Sequence, residues 1–488
     1  MSSNKKRLRV SLVLIALSLA GCANFHGLDT QGKSLKAEDL KAGQSLANIH
    51  LSPAAWPKRD WWTSLGDPQL DGLIREALRD SPDMQIASAR SHQALAAAAA
   101  ADADRAPTLN ADASVQRARF NREQDPLGQG NAYSTSRNLE ATFSYNFDLW
   151  GGERAAWEAA LGQARAAEID RQAAALTLAA DVARAYSNLA QANIVADLAE
   201  EDLKRTGQML SLGQRRHTAG IDSDYQLQQT ESLQASSQEQ ALNAEKQLAS
   251  ARIALSVLLG KGPDRANEIA RPTVLQPAVV QLPSTLPAEL LGRRPDLVAA
   301  RWRVEAASND IVASKTRFYP NLNLSAAAGT QSILGDALFG GPSRFWNIAP
   351  TVSLPIFDGG RLRASLDARD ADYDLAVAQY NKSLVKALGD VSDSIVQVRS
   401  LNRQIDASQH AADVAKRSFD TVSQRYGAGI GSYVDVLTIE QQLLQAQQQL
   451  ASLNAERIDQ SIQLMQALGG GFQDEQLAHA PSTSSTPN

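Results

Sequence analysis

The sequence predicts a mixed α/β membrane protein in which short strands interrupt very long helices. Residues 163–206, 221–259 and 432–468 contain neither Gly nor Pro, the residues that most often end helices, so they predict long helices. Apolar and polar residues alternate over 139–149, which predicts a strand with one apolar face. Several motifs recur at a nearly constant offset, which predicts two tandem copies of one unit.

Charge and composition argue against two classes of protein. The 488 residues include 48 Lys and Arg against 53 Asp and Glu, so the chain has no basic excess with which to bind nucleic acid. The six His residues are scattered without metal-ligand spacing, and no nucleophile or phosphate-binding motif stands out. We therefore expect no nucleic-acid partner, no enzymatic activity, no metal and no cofactor.

The N-terminus has the layout of a bacterial lipoprotein signal. A basic start precedes an apolar run over 10–20 that is too short to remain as a membrane-spanning helix. Leu19-Ala20-Gly21-Cys22 is similar to the lipoprotein box, in which cleavage leaves a lipid-carrying Cys, and the following Ala23 favours the outer membrane by resemblance. We expect a signal peptide at 1–21 and a covalent lipid such as palmitate on Cys22. The alternative is a lone buried Cys beside an ordinary cleavage site.

Paired motifs define the two tandem units. Ser81-Pro82-Asp83 recurs as Arg294-Pro295-Asp296 at an offset of 213, and the glycine pair Gly151-Gly152 recurs as Gly359-Gly360 at an offset of 208. The predicted units, 71–262 and 287–471, each contain a leading helix, a β-hairpin and a long helical hairpin. In the first unit these elements are placed at about 71–104, 107–149 and 151–260, and in the second the two hairpins are placed at 320–357 and 361–468. The remaining segments are an acylated extension at 22–70, a linker at 263–286 and a disordered tail at 472–488.

The helical segments have the spacing of helices that pack along their length. Apolar residues recur every seven positions in the first long segment, as in a coiled coil: Val182, Leu189, Ala196, Leu203 and Leu210. A soluble coiled-coil rod is the alternative. A rod, however, does not need the strands that interrupt these helices.

The predicted strands have the pattern of transmembrane β-strands. Along 139–149 the alternating apolar residues are Leu139, Ala141, Phe143, Tyr145, Phe147 and Leu149, and a weaker alternation includes Ile348, Val352, Leu354 and Ile356. Apolar-out, polar-in segments of this kind are typical of membrane barrels, although a half-buried soluble sheet fits the alternation equally well. The lipid anchor favours the membrane. The polar segments 121–131 and 334–344 suit external loops.

The number of strands predicts an oligomer. One chain supplies four strands, which cannot close a barrel, whereas eight strands from two chains leave an interior that side chains fill. Twelve strands from three chains leave a bore. A conduit therefore requires a homotrimer with a 12-stranded outer-membrane β-barrel, continued by a long periplasmic α-helical barrel.

Three segments resemble the TolC superfamily of trimeric outer-membrane channels: 61–71, which begins Trp61-Trp62-Thr63, the Arg294-Pro295-Asp296 region, and Phe357-Asp358-Gly359-Gly360-Arg361. Within that superfamily the chain is similar to the OprM-like, NodT-type lipoproteins of tripartite efflux pumps. The resemblance implies a passive duct for drugs or other small toxic molecules. Its implied partners are a periplasmic adaptor, an inner-membrane transporter of the RND type and outer-membrane lipid. A duct for type I protein secretion and a periplasmic adaptor lipoprotein are the alternatives.

The resemblance also implies functional residues at the two helical-hairpin turns. The residues implied to dock the adaptor are Arg216, Gly220, Asp222, Arg425, Gly429 and Ser432. Asp435 and Tyr426 are implied to line the periplasmic aperture, where three copies of Asp435 would form a ring that attracts cations. The next family carboxylate falls at Thr438, and the first-half equivalent of Asp435 is Gln226, so we expect fewer charges at this mouth. An ordinary first-turn Asp is the alternative for Asp435.

Overall fold

The computed structural model describes residues 27–36, 56–119, 133–273, 275–277, 292–332 and 338–473. The predicted signal peptide, Cys22, the loop at 121–131 and most of the tail lie outside the described residues. The chain divides into two compact units. The first contains Met1–Ser34, Ser91–Ala167 and Ala300–Tyr380, and the second contains Leu35–Arg90, Glu168–Ala299 and Asn381–Asn488.

The described chain is mostly helical, with one four-stranded sheet. Its helices are α1 (Pro68–Asp80), α2 (Pro82–Ala103), α3 (Gly152–Thr218), α4 (Asp224–Leu258), α5 (Pro295–Thr316), α6 (Arg361–Gly427) and α7 (Tyr433–Ala467). Its strands are β1 (Thr108–Arg119), β2 (Tyr133–Phe147), β3 (Asn321–Ser332) and β4 (Arg344–Ser353), and short 3-10 turns lie at Trp61–Leu65, Pro263–Glu268 and Gly341–Ser343. Helices α3 and α6 have 67 residues each, and α4 and α7 have 35 each.

The structure differs from the prediction at one helix and at two strand ends. The single leading helix over 71–104 is in fact two helices, because Ser81 is extended, with a ψ of 134°, and the ring of Pro82 disfavours helical backbone at the residue before it. The strands also end earlier than predicted, at Phe147 and Ser353, so Leu149 and Ile356 lie beyond them. No helix in the described ranges is long and apolar enough to cross a membrane.

The sheet of the first unit is antiparallel throughout, in the order β1-β2-β3-β4. Residues paired directly across strands share a face, so the registers sort the side chains into rows. One face carries the apolar rows Leu109, Phe143, Ala326, Ile348 and Ala111, Ala141, Ala328, Trp346. The opposite face carries polar rows such as Asn110, Thr142, Ala327, Asn347. The apolar face is exposed, with 74% of Leu109 and 76% of Trp346 accessible.

The aspartates of the two glycine-pair motifs begin the two long helices. Asp148 accepts the backbone N–H groups of Glu153 and Arg154, at 3.1 and 2.9 Å. Asp358 accepts those of Gly360 and Leu362, at 3.0 and 2.8 Å. Free N–H groups at a helix start need such acceptors. These motifs therefore start the two long helices.

The second unit contains the largest apolar core, where α1 packs with parts of α3, α4 and α7 around the buried residues Trp61, Leu65, Leu70, Ile74, Tyr186, Leu189, Leu255 and Ile462. Asp67 forms several hydrogen bonds at the polar edge of this core. This carboxylate caps α1 through the N–H of Gln69 and accepts bonds from the Tyr186 hydroxyl, at 2.7 Å, and from Thr273. Burial acts to raise the pKa of Asp67, but the bonds from Tyr186 and Thr273 outweigh it, so the pKa is lowered.

The Arg294 side chain is buried in the second unit and holds its neighbours together. It binds Asp296 at 2.7 Å, Asp390 at 3.3 Å and the carbonyl of Ala467 at 3.3 Å. A buried guanidinium needs such acceptors for its five N–H groups. The motifs around Asp67 and Arg294 are thus parts of the folded scaffold.

Candidate functional site

The turns at the ends of the two helical hairpins, 216–224 and 425–433, form the candidate site, hereafter the hairpin tips. Gly220 and Gly429 lie just after α3 and α6, with φ of +69° and +79°, a left-handed conformation that favours glycine. The N–H of Ile221 binds the carbonyl of Arg216 at 2.9 Å, closing the last turn of α3. The two turns have the same local design.

The serines of the tips begin the following helices. Ser223 and Gln226 form a reciprocal capping box at the start of α4. Ser432 accepts the N–H of Val434 at 3.2 Å at the start of α7. Gln226, the first-half equivalent of Asp435, is therefore occupied in helix capping.

Asp222 links the two tips. Its carboxylate binds the Arg216 guanidinium in a bidentate pair, with both bonds at 3.0 Å, and accepts the Tyr426 hydroxyl at 3.3 Å. The Arg216 guanidinium also lies 4.7 Å from the centre of the Tyr426 ring. Burial, followed by the charge of Asp222, raises the pKa of Tyr426 to about 12, so the phenol remains a donor at neutral pH. The hydrogen bond to Asp222 raises the pKa of Arg216.

The proposed docking and aperture residues differ in exposure. Arg425 and Asp435 are exposed, and neither side chain forms an ion pair or hydrogen bond with any residue the structure describes. Tyr426 is buried within the chain, with its ring 5.6 Å from that of Tyr433. The hydroxyl of Thr438 turns back to the carbonyl of Val434, so this position supplies no charge.

A buried polar cluster lies between the helices of the second unit, and sequence analysis missed it. The Asp202 carboxylate binds Arg205 at 3.1 Å and the Ser237 hydroxyl at 2.7 Å. Glu440 is only 4% exposed. Its carboxylate lies 3.3 Å from the Arg205 guanidinium, and neither carboxylate oxygen accepts a hydrogen bond. Two buried carboxylates thus share one cation.

The environment of Glu440 is unfavourable to its charge. Burial and the nearby charge of Asp202 raise the pKa of Glu440 to about 7, and Arg205 only partly opposes this. The burial of Glu440 could have been predicted from the sequence, because Val436, Glu440 and Leu443 follow the 3.6-residue period of one helix face.

In the described part of the chain, no three His, Cys, Asp or Glu side chains are arranged to hold a metal ion. The contacts at the tips and in the cluster are ion pairs, hydrogen bonds and helix caps, which can hold helices together or release them.

Comparison with known proteins places this chain in a family. The sequence matches the family described as outer membrane efflux protein over residues 73–261 and 286–470. It is 30% identical to the multidrug resistance outer membrane protein MdtP of Escherichia coli K12, across 93% of this chain and 94% of that protein. It is 33% identical to the pyoverdine export outer membrane protein OpmQ of Pseudomonas aeruginosa PAO1, across 96% of this chain and 97% of that protein.

A solved structure has the same fold. The outer membrane protein VceC of Vibrio cholerae is 34% identical and superimposes with a TM-score of 0.78, covering 86% of this chain and 100% of VceC. The chain therefore belongs to the outer membrane efflux protein family, within the TolC superfamily of outer-membrane channels.

Proposed function

We propose that this chain is the outer-membrane component of a tripartite efflux system. Three copies would form a passive duct, which receives drugs or other small toxic molecules from an inner-membrane RND-type transporter and a periplasmic adaptor. The observation that carries this proposal is that one face of the four-stranded sheet is apolar and exposed, whereas the opposite face is polar. Lipid can cover the apolar face while water fills a bore on the polar one. The names of MdtP and OpmQ, which refer to multidrug resistance and pyoverdine export, support small molecules as the cargo.

The edges of the sheet support the homotrimer. Strands β1 and β4 each pair with a single neighbour in the sheet, which leaves two open edges with unpaired backbone groups. Three chains joined edge to edge give a 12-stranded barrel with no open edge. The equal lengths of α3 and α6, and of α4 and α7, support both the tandem repeat and a helical barrel that continues the bore.

The anchor and the tips complete the proposal. Cleavage before Cys22 would leave a lipidated N-terminus in the outer membrane, as the signal-like start suggests. The exposed Arg425 suits docking of an adaptor, and the exposed Asp435 suits an aperture ring. Tyr426 would act at the aperture by holding Asp222 and not by facing the bore.

Two other functions remain as outcomes of the test. A duct for type I protein secretion would have the same architecture and a different cargo. A periplasmic adaptor lipoprotein would not present a sheet with an exposed apolar face. The family is one of outer membrane efflux proteins, and we propose no enzymatic activity.

The test combines extraction, conductance and export. The protein, extracted from outer membranes in detergent, should run as a trimer that heating converts to a monomer, and should form ion-conducting pores in planar bilayers. Cells lacking it should accumulate a dye or drug and regain export when it is restored. A monomer without conductance would contradict the duct. Restored protein secretion without restored drug export would favour the type I alternative.

A further inference from the structure

A cavity of ≈ 330 Å3 lies in the first unit, where the strands meet the helices. Its walls come from the end of β2, the start of α3, the end of α5 and the start of α6. The lining includes two cations, Arg317 and Arg361, two carboxylates, Asp148 and Glu153, and the aromatic rings of Trp150 and Tyr319. Neither the hairpin tips nor the buried cluster includes any of these residues.

The carboxylates of this cavity form local hydrogen bonds, whereas the arginines form none, and Arg317 acts on the carboxylate of Asp310 through its charge alone. Asp148 caps α3, and Glu153 accepts a bond of 3.4 Å from Asn146. Arg317 and Arg361 are exposed, and neither forms an ion pair or side-chain hydrogen bond with a residue that the structure describes. The cavity therefore holds two guanidinium groups available to an anion.

Arg361 lies at the start of a helix. It is the first residue of α6, where the helix dipole favours negative charge, and the first turn of α6 contains no acidic residue. The corresponding start of α3 carries the acidic Glu153. An arginine at the positive end of a helix does not stabilise that helix. The Asp358 carboxylate already caps this helix start, so the attraction for an anion comes from the guanidinium groups themselves, which bind phosphate well.

An exposed apolar collar borders the cavity. It consists of Leu149 and Trp150, just after β2, and Ile356 and Phe357, just after β4, and 92% of Phe357 is accessible. Trp150 is held in place, because its indole N–H donates to the carbonyl of Pro320 at 2.8 Å and its ring stacks on Tyr319. Aromatic residues concentrate at the headgroup level of membranes, where one side is apolar and the other wet.

We propose that this cavity binds the headgroup of an anionic phospholipid, with Arg317 and Arg361 on the phosphate and the acyl chains on the collar. The proposal rests on the proposed function, which places the sheet in the outer membrane and the helices in the periplasm. The cavity would then lie at the level of the phospholipid leaflet on the periplasmic side. The junction between the strands and the helices would then bind one lipid specifically, where it would otherwise make only nonspecific contact with the bilayer.

The test is native mass spectrometry of the detergent-purified protein with added phosphatidylglycerol. The double variant Arg317→Gln/Arg361→Gln should bind this lipid at least about tenfold more weakly than the wild type, because it loses two charge-assisted contacts. The control, Arg90→Gln/Arg403→Gln, removes the same charge from two exposed arginines outside the cavity and should bind like the wild type. A phosphatidylglycerol with brominated acyl chains should quench the fluorescence of the wild type more than that of Trp150→Phe.

Several results would overturn the proposal. These are unchanged lipid binding by the double variant, equal weakening by the control, and displacement of the lipid by an equal concentration of inorganic phosphate. A double variant with a lost trimer band and normal lipid binding would assign the arginines to a second copy of the chain.

Conductance in pure phosphatidylcholine bilayers tests the duct separately. A conducting protein without selective lipid binding contradicts only the lipid site, whereas a non-conducting protein contradicts the duct.

Discussion

The hydroxyl of Tyr426 donates a hydrogen bond of 3.3 Å to Asp222, although the two residues are 204 positions apart. This bond joins the turn that follows α6 to the turn that follows α3 within one chain. Arg216 reinforces it by pairing with Asp222 and lying over the Tyr426 ring. Movement of one hairpin tip away from the other must therefore break the contacts of Tyr426 with Asp222 and Arg216.

Removing the Tyr426 hydroxyl should loosen the tips. Tyr426→Phe keeps the ring and deletes a hydrogen bond to a charged group, which contributes about 1.5–3 kcal/mol. We expect a higher single-channel conductance or more frequent opening in planar bilayers, with trimer yield unchanged. Tyr225→Phe is the control, since Tyr225 is an exposed tyrosine near the same turn, bonded to Gln229 of its own helix. Equal conductance of Tyr426→Phe and the wild type would exclude this bond as a restraint on opening.

Arg425 offers a cleaner test of adaptor docking than Arg216. Arg425→Glu changes an exposed side chain without a partner in the described chain, so we expect weaker crosslinking to the adaptor and unchanged trimer yield. Arg216→Glu also breaks the pair with Asp222, so it should destabilise the turn as well. Crosslinking that survives Arg425→Glu, together with lost drug resistance, would indicate a role in gating in place of docking.

Glu440 should make the stability of the second unit depend on pH. Its pKa of about 7 lies above the ordinary value of about 4.3, so between these values the folded state binds more protons than the unfolded state. Stability therefore falls as pH rises through this window and levels off above pH 7, a loss on the order of 1–3 kcal/mol.

Thermal unfolding at pH 5.5 and pH 8 measures this effect. Glu440→Gln keeps the shape of the side chain without its charge, so it should raise the Tm at pH 8 and reduce the difference between the two pH values. Asp435→Asn, an exposed carboxylate on the same helix, is the control and should leave that difference intact. A pH dependence that survives Glu440→Gln would show that other groups cause it.

Asp435 should determine block of the pore by multivalent cations. Three exposed carboxylates around one axis would attract such cations, so Asp435→Asn should abolish block from the periplasmic side in planar bilayers. Asp224→Asn is the control, because Asp224 is an exposed Asp at the start of α4 that pairs with His217. Unchanged block in Asp435→Asn would leave Asp435 as a helix-start residue only.

Cys22 should be the first residue of the mature protein and carry lipid. Intact mass spectrometry should give the mass of residues 22–488 plus acyl groups. Cys22→Ser should lack that increment and wash from membranes more easily. A mature mass equal to that of the unmodified chain would exclude lipidation.

The sequence by itself determined the elements whose patterns are local. Runs without Gly or Pro predicted helices that the structure places at α3, α4 and α7. Alternation predicted that Phe143 and Tyr145 share an apolar face, because the period of a strand depends only on its own residues. The glycines of the tips could equally be predicted from the sequence, because the backbone conformation of such a turn depends on only a few neighbouring residues.

Only the tertiary structure decided which residues meet. The sequence placed Asp222 in a helical-hairpin turn, but only the fold shows that its carboxylate binds Arg216 and Tyr426. Asp202 and Glu440 are brought beside one arginine by helices far apart in sequence. Spacing within one helix shows which side of it is buried, but the partner depends on how the helices pack. The shared cation and the raised pKa of Glu440 are therefore consequences of packing, because burial and neighbouring charges arise only when the chain folds.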